Sequence, residues 1–371
     1  MKKALYKKVV IKIGSALLTD NGKGIDHKMI ANWVSQIAVL RALSVDIVLV
    51  SSGAIVEGIK RLGLKSRPNN ISQLQAMAAV GQMGLAQAYE ACFKAHDLHC
   101  AQVLLTHDDL ANRQRYLNAR STLRTLLSYG AIPVVNENDT VSTEEIRFGD
   151  NDTLGALVSN LIEADLLIIL TDQTGLYDSN PANNANAVLI QKVDANDPVL
   201  MTYAGPSAGN LGRGGMQTKV SAAQLAARSG THTVIASGKH DNVISRLVEG
   251  EAIGSFLEAC EGHLAARKQW LAGHMRCSGK LQLDDGAVSV LVNKNASLLP
   301  VGVKKVSGKF NRGEVVSCVD SNGDEVARGL VNYSSAESKL IMGQSSLNVA
   351  KILGYEDAPE LINRENLVLT K

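Results

Sequence analysis

The sequence predicts an α/β protein: an open, mainly parallel sheet sandwiched by helices, followed by a small, separate β-rich domain. Three observations carry this reading. Short apolar runs alternate with longer segments of helical spacing as far as Phe256, and such alternation builds a parallel sheet covered on both faces. The pattern changes after about Phe256, where long helical stretches give way to short apolar ones. Asp285-Gly286 and Asn322-Gly323 punctuate that last part with turn signals.

The elements follow in order. Val9–Ile13 reads as a first strand. Lys28–Leu43 carries Met29, Ile30, Trp33, Val34, Ile37 and Leu40 at helical spacing. Ile47–Val50 is a second buried strand, and Ile71–Ala95 is a long helix behind Asn69 and Asn70, either of which suits its N-cap. Ala101–Leu105, Ile132–Val135, Leu166–Leu170 and Val234–Ala236 are further strands. Helices over Arg113–Tyr129, Thr153–Ile162 and Gln217–Ser229 lie between them. Glu258–His274 is a polar helical stretch that suits a linker. Beyond it, Gly279–Leu283, Val288–Val292, Val315–Asp320 and Val326–Val331 read as short strands.

Bulk properties exclude several classes. The 371 residues are 45% hydrophobic and 20% charged, an ordinary globular balance. A net charge of +2 and 4% aromatic residues leave little for a nucleic-acid footprint across the chain. Five scattered cysteines without a CxxC suit reduced thiols in a cytosol. The apolar stretch after the N-terminal lysines is short and interrupted by Lys12, so it fails as a signal peptide. The run Leu166–Leu170 is too short to span a bilayer. A cytoplasmic protein with no membrane segment is the expectation. His96, His99, Cys100 and His107 match no strong metal-ligand spacing and are read as structural or solvated.

In an open α/β sheet, ligands bind beyond the carboxyl ends of the strands, and the unusual residues fall there. Lys12 sits inside the first apolar strand, just before Gly14-Ser15; an anionic partner would offset the cost of burying it. Ser51-Ser52-Gly53-Ala54 opens a helix whose amides suit an anion. Asn136-Glu137-Asn138-Asp139 ends another strand, and Asp150-Asn151-Asp152-Thr153 precedes a helix. These acidic and amide clusters suit an ammonium or amide ligand. Thr171-Asp172 closes the next strand, and the glycine-rich stretch from Gly209 to Gly215 feeds a helix with Lys219 one turn in, a phosphate-cradling pattern. There is no GxxxxGK[ST] P-loop, no early GxGxxG, and no protein-kinase signature.

Together these segments resemble the glutamate 5-kinase family of the amino-acid kinase superfamily. The likeness rests on Val10 to Ser15, Ser51 to Ala54, Val135 to Asp139, Phe148 to Asp152, Thr171 to Tyr177, and Gly214 to Lys219. Their order and combination are more specific than any one of them. Ser297-Leu298-Leu299-Pro300 with Ala327-Arg328-Gly329-Leu330 is similar to the PUA domain attached to bacterial members. The resemblance implies an amino-acid kinase domain over residues 1–258, a linker helix over 259–275, and a PUA domain with a tail over 276–371.

It also implies roles. Lys12 and Lys219 would flank the transferring phosphoryl group, with Asp152 orienting both lysines. Ser52, Gly53, Asn136, Asp139 and Asn151 would hold glutamate, supported by Asp150. Lys12, Thr171 and Asp172, with Arg213, Gly214, Gly215, Met216, Gln217, Thr218 and Lys219, would line the nucleotide site. Arg213 and Asn210 stand where the family usually has small residues. The expected reaction is ATP- and Mg²⁺-dependent phosphorylation of the γ-carboxylate of L-glutamate, the first step towards proline, with no metal ligand assigned in the chain itself. Proline would compete with glutamate near Asp109 and the Thr140–Phe148 segment. A homo-oligomer and handover of the product to a reductase are further expectations. An acceptor carboxylate is already ionised at neutral pH, so catalysis needs alignment and positive charge more than a base. Kinases of aspartate, N-acetylglutamate or nucleoside monophosphates are the nearest rivals. RNA binding through the last domain is the rival of another class, carried by Lys304, Lys305, Lys309 and Arg312, for which a solvated surface is the preferred reading.

Overall fold

Residues 4–19, 24–142, 151–205, 215–260, 277–294, 296–356 and 358–370 are described by a computed structural model. The chain divides into two compact units, Met1–Gly262 and His263–Lys371.

The first unit is built on an eight-stranded sheet in the order β3-β4-β2-β1-β5-β7-β8-β6. Strands β1 (Lys8–Ile13), β2 (Asp46–Val50), β3 (Cys100–Leu105), β4 (Ile132–Glu137), β5 (Leu166–Thr171) and β7 (His232–Ser237) are parallel. Strand β8 (Ser255–Glu258) runs against β7 and pairs in parallel with the short β6 (Lys192–Asp194). The fully buried strands read as continuous apolar runs, as parallel strands covered on both faces do.

Alternation along β1 divides the core. Val9, Ile11 and Ile13 face Trp33, Ile37 and Leu40 of α2 (His27–Ala42) and Leu85, Tyr89 and Phe93 of α4 (Ile71–Lys94). Val10 faces the opposite layer, with Leu123 and Leu127 of α6 (Arg113–Ser128), Leu154 and Leu161 of α7 (Asp152–Ile162), and Val220 and Ala223 of α9 (Met216–Ala227). Lys12 shares the face of Val10, which sets it under α7. Asn70 is the cap of α4, accepting from the Ser72 amide at 2.9 Å. The expected strands and long helices of this unit all form, with ends shifted by one or two residues. Short elements that the sequence reading passed over are α1 (Ser15–Leu18), α5 (His107–Ala111), α8 (Val199–Tyr203), α10 (Val243–Val248), β6 and β8.

The helix α3 (Ala54–Arg61) packs against α4 with backbones in contact. A Cβ on Gly58 would lie 1.8 Å from the Met77 carbonyl oxygen, and one on Gly81 would lie 1.8 Å from that of Ala54. Gly53 caps α3 at φ +90°, the left-handed region that glycine enters without strain.

The second unit holds a five-stranded sheet, β10-β9-β11-β12-β13. Its strands are β9 (Gly279–Leu283), β10 (Val303–Gly308), β11 (Val315–Val319), β12 (Glu325–Leu330) and β13 (Leu367–Leu369). Leu281, Leu283, Phe310, Tyr333, Ile341 and Ile362 form a core of their own. One expectation fails here. Val288–Val292 is not a strand but part of helix α11 (Asp285–Lys294). The Asp284 carboxylate accepts from the Ala287 amide at 2.7 Å, so Asp285-Gly286, read as a turn signal, instead begins a helix. Val288 and Leu291, three residues apart, both pack on the core, which is helical spacing and not the two-residue alternation of a strand. Of the expected linker helix, Glu258 closes β8, and 261–276 lie outside the described residues.

Candidate active site

Strands β2 and β5 flank β1 on opposite sides, so the chain's direction of progress across the sheet reverses at β1. A crevice forms at the carboxyl ends of strands around such a reversal. A cavity of about 320 Å³ opens there. Lys12 and Gly14 come to it from β1, Ser52 and Gly53 from the end of β2, Thr171 and Asp172 from the end of β5, and Lys219 from the first turns of α9. Gly14 closes the floor: its amide donates to the Leu170 carbonyl at 3.1 Å, and a Cβ there would sit 3.3 Å from that oxygen.

The charged centre is a carboxylate between two ammonium groups. Asp152, the first residue of α7, is fully buried. Its Oδ1 is ion-paired with Lys12 Nζ, and its Oδ2 lies 3.0 Å from Lys219 Nζ. Thr218 Oγ1 donates to the same Oδ2 at 3.0 Å. Both lysines are buried, at 4% and 5% exposure. Taken by itself, the trio of two ammonium groups and one carboxylate carries a net positive charge on the cavity wall. Low surrounding polarity makes such a centre attractive to an anion.

Beside it lies an amide network. Asn151 Nδ2 donates to Asn136 Oδ1 at 2.7 Å and to the Ser51 carbonyl at 2.6 Å, with Ser52 Oγ at 3.4 Å. Asn136 Nδ2 donates to Gln82 Oε1 at 2.8 Å. Asn151 Oδ1 is buried and accepts no hydrogen bond among the described residues. Ser51 Oγ lies 3.2 Å from the Tyr89 hydroxyl, whose pKa burial pushes well above the usual phenol range, so it stays protonated. Asp139 is buried at 4% exposure and faces a neighbouring hollow of about 220 Å³ with Gln82, Glu137 and Asn138. Glu137 Oε2 lies 3.8 Å from His107 Nδ1.

A third hollow, of about 470 Å³, lies by α5 and is lined by Thr106, His107, Asp109, Arg115, Asn138 and Ser142. Asp109 forms a capping box with Thr106 and accepts from Arg115 Nη1 at 2.8 Å. Partial burial opposes ionisation there, but the hydrogen bonds from Thr106 and the Arg115 charge outweigh it and hold the carboxyl below its usual range.

The expected residues therefore divide into groups. Lys12, Ser52, Gly53, Thr171, Asp172 and Lys219 meet on the main cavity. Asp152 stands behind the lysines, and Asn136 and Asn151 join Ser51 and Ser52 in the network. Asp139 faces the adjoining hollow. Gly215, Met216, Gln217 and Thr218 lead into and begin α9 without lining the cavity, apart from the contact of Thr218 with Asp152. Asp150, Asn210, Arg213 and Gly214, with the stretch 143–148, lie outside the described residues. Sequence reasoning missed Arg67, Gln82 and Tyr89. The last two read as helix residues of α4, and Arg67 sits in a polar connection with no motif around it.

Comparison with known proteins gives consistent matches. Residues 7–237 match the Amino acid kinase family and residues 279–353 match the PUA domain. The glutamate 5-kinase of Pseudomonas savastanoi pv. phaseolicola is 59% identical over 360 residues, covering 97% of this chain and 98% of that one. That of Marinomonas sp. strain MWYL1 is 59% identical over 368 residues, covering 99% and 98%. That of Methylococcus capsulatus is 57% identical over 364 residues, covering 98% and 97%. Among solved structures, the UMP kinase of Bacillus anthracis matches with a TM-score of 0.47 and 15% identity, covering 69% of this chain and 97% of that one.

Proposed function

We propose, for a chain that belongs to the Amino acid kinase family and within it to the glutamate 5-kinases, that the cavity between β1, β2 and β5 transfers the γ-phosphoryl group of ATP to the side-chain carboxylate of L-glutamate. The observation that carries this reading is the buried Lys12–Asp152–Lys219 trio on the cavity wall. The products are ADP and an acyl phosphate. A carboxylate oxygen attacks phosphorus, and the bond to the bridging oxygen of ADP breaks. The attacking group is ionised at neutral pH, so no proton needs to be removed. The barrier is the approach of two anions. Lys12 and Lys219 lower it by meeting the phosphoryl oxygens, and Asp152 holds their ammonium groups in register.

Asn136, Asn151 and Asp139 hold the amino-acid end of glutamate. The unmatched Asn151 Oδ1 and the Asp139 carboxylate are acceptors suited to its ammonium. Thr171, Asp172 and the start of α9 receive the nucleotide, with Arg213 and Gly214 assigned to the same loop. Mg²⁺ suits this set as a companion of the triphosphate: Asp152 is engaged by two lysines, whereas Asp172 is an exposed carboxylate on the cavity. Asp172 would help to hold the ion alongside the phosphates. Bound there, Mg²⁺ neutralises phosphate charge.

The hollow beside Asp109 is the proposed proline site, overlapping the glutamate end through Asn138. Feedback by proline, a place at the head of proline synthesis, a cytoplasmic location, a homo-oligomeric state and delivery of the reactive acyl phosphate to a reductase belong to the same reading. No helix among the described residues is long and apolar enough to cross a membrane. The catalytic part is assigned to residues 1–258, the linker to 259–275 and the PUA part to 276–371. Trapping the acyl phosphate with hydroxylamine tests the reaction. Glutamate should give far more hydroxamate than aspartate or N-acetylglutamate, and equal turnover of either rival overturns the assignment.

A further inference from the structure

We infer that Arg67 is a catalytic residue that contacts the transferring phosphoryl group. The inference rests on the reading of the cavity as the site of phosphoryl transfer.

Arg67 lines the same cavity as Lys12, Ser52, Gly53, Thr171 and Lys219. It belongs to neither the apolar layers nor the amide network. It comes from the connection between α3 and α4, two helices whose backbones touch at Gly58 and Gly81. Pro68 follows it, and the residue before a proline is confined to extended backbone. Two residues on, Asn70 caps α4 through the Ser72 and Gln73 amides. The connection thus presents its arginine to the cavity just ahead of a capped helix, in a half-buried position.

Charge supplies the second argument. Lys12 and Lys219 share Asp152, so the trio carries one net positive charge. Asp172 subtracts another at the cavity edge. A carboxylate meets a triphosphate here, so each cation on the lining lowers the repulsion between them. Arg67 brings a guanidinium to the same lining, a planar fork that matches two oxygens of a phosphoryl group at once. The two lysines and the fork would meet the phosphoryl group together during transfer. Asn136 and Asn151, which make up the amino-acid end, do not line this cavity with Arg67. The contact is therefore assigned to the phosphoryl group and not to the amino-acid end of the acceptor.

Such a contact strengthens as charge spreads over the phosphoryl oxygens, so it acts on kcat. The test compares Arg67→Gln and Arg67→Lys with the unaltered full-length enzyme, using the carboxylate acceptor that the latter turns over best. The unaltered enzyme reports on the reaction assignment, and the ratio of variant to unaltered kcat reports on Arg67. Arg67→Gln should lower kcat roughly 10²-fold or more, the scale of losing an electrostatic stabiliser. The KM for the acceptor should move no more than about twofold, since uniform binding is untouched. Arg67→Lys, which keeps charge and loses the fork, should fall between, and it remains informative if the glutamine variant fails to fold. A kcat retained in both variants overturns the inference. So does a loss expressed as a raised acceptor KM at constant kcat, which would put Arg67 on the carboxylate.

Discussion

Lys12, Asp152 and Lys219 form a set in which each deletion leaves a different imbalance. Lys219→Ala leaves a neutral Lys12–Asp152 pair, with the cavity still shaped to admit both substrates. The kcat should fall roughly 10²-fold or more while the KM for glutamate changes little, because the lost charge matters most in the transition state. Steady-state kinetics check this, and an unchanged kcat removes Lys219 from the reaction. Asp139 acts at the other end of the site. Its carboxylate is buried next to Asn138 and Gln82, away from the lysines. Asp139→Ala should raise the KM for glutamate and leave that for ATP near its original value. A defect confined to the nucleotide would show that Asp139 is misassigned. At this scale the sequence was legible wherever a polar group interrupted an apolar strand end, as at Lys12, Asn136 and Thr171. It was silent on Gln82 and Tyr89, which occupy ordinary helical positions in α4. Their contact with the site depends on where α4 crosses the sheet, and helical periodicity does not encode that.

The crossing of α3 and α4 is the element-level feature that fixes both the Ser52–Gly53 corner and the connection bearing Arg67. Any side chain at Gly58 collides with backbone and not with a flexible tip: its Cβ would meet Met77 O, C and Cα, all within 3 Å. Gly58→Ala should therefore destabilise the first unit by about 1–3 kcal/mol, the usual cost of overpacking. Urea denaturation read by circular dichroism measures it, and a stability unchanged by the substitution would mean that the helices can separate cheaply. The elements that escaped the sequence reading did so for local reasons. In β10 the register shifts between Val303 and Lys305, and Lys304 and Lys305 both face solvent. Such a bulge breaks the two-residue period by which strands are recognised, so the pair read as a basic surface stretch. In α11 the apolar residues Val288, Val290, Leu291 and Val292 are dense enough to suit a strand, and the Asp284 cap and the packing of Val288 with Leu291 on one face reveal a helix.

Over the whole chain, the alternation of strands and helices made the large sheet legible, because parallel strands need their crossover helices in sequence. Strand order and the antiparallel ending at β8 were not legible, since pairing is set by packing between distant segments. The two units have separate cores, around Val9 and Val10 in one and Leu281 and Phe310 in the other. A chain ending at Glu261 should consequently fold and keep its kinase activity, as all the assigned catalytic residues precede Ser221. Circular dichroism with hydroxylamine trapping decides it, and a folded but inactive product would assign part of the chemistry to the second unit. The reversal at β8 bears on how such a protein can be handled. Ser255 pairs with Ile235 and Leu257 with Thr233, so β8 travels back down the sheet, and the Ala259 amide ends beside His232 at the beginning of β7. The described backbone of the first unit thus reaches Cys260 at the amino ends of the parallel strands, while the cavity opens over their carboxyl ends. A fluorescent reporter or an immobilisation tag spliced on after Cys260 would start from the blind side of the sheet and leave the substrate mouth unobstructed.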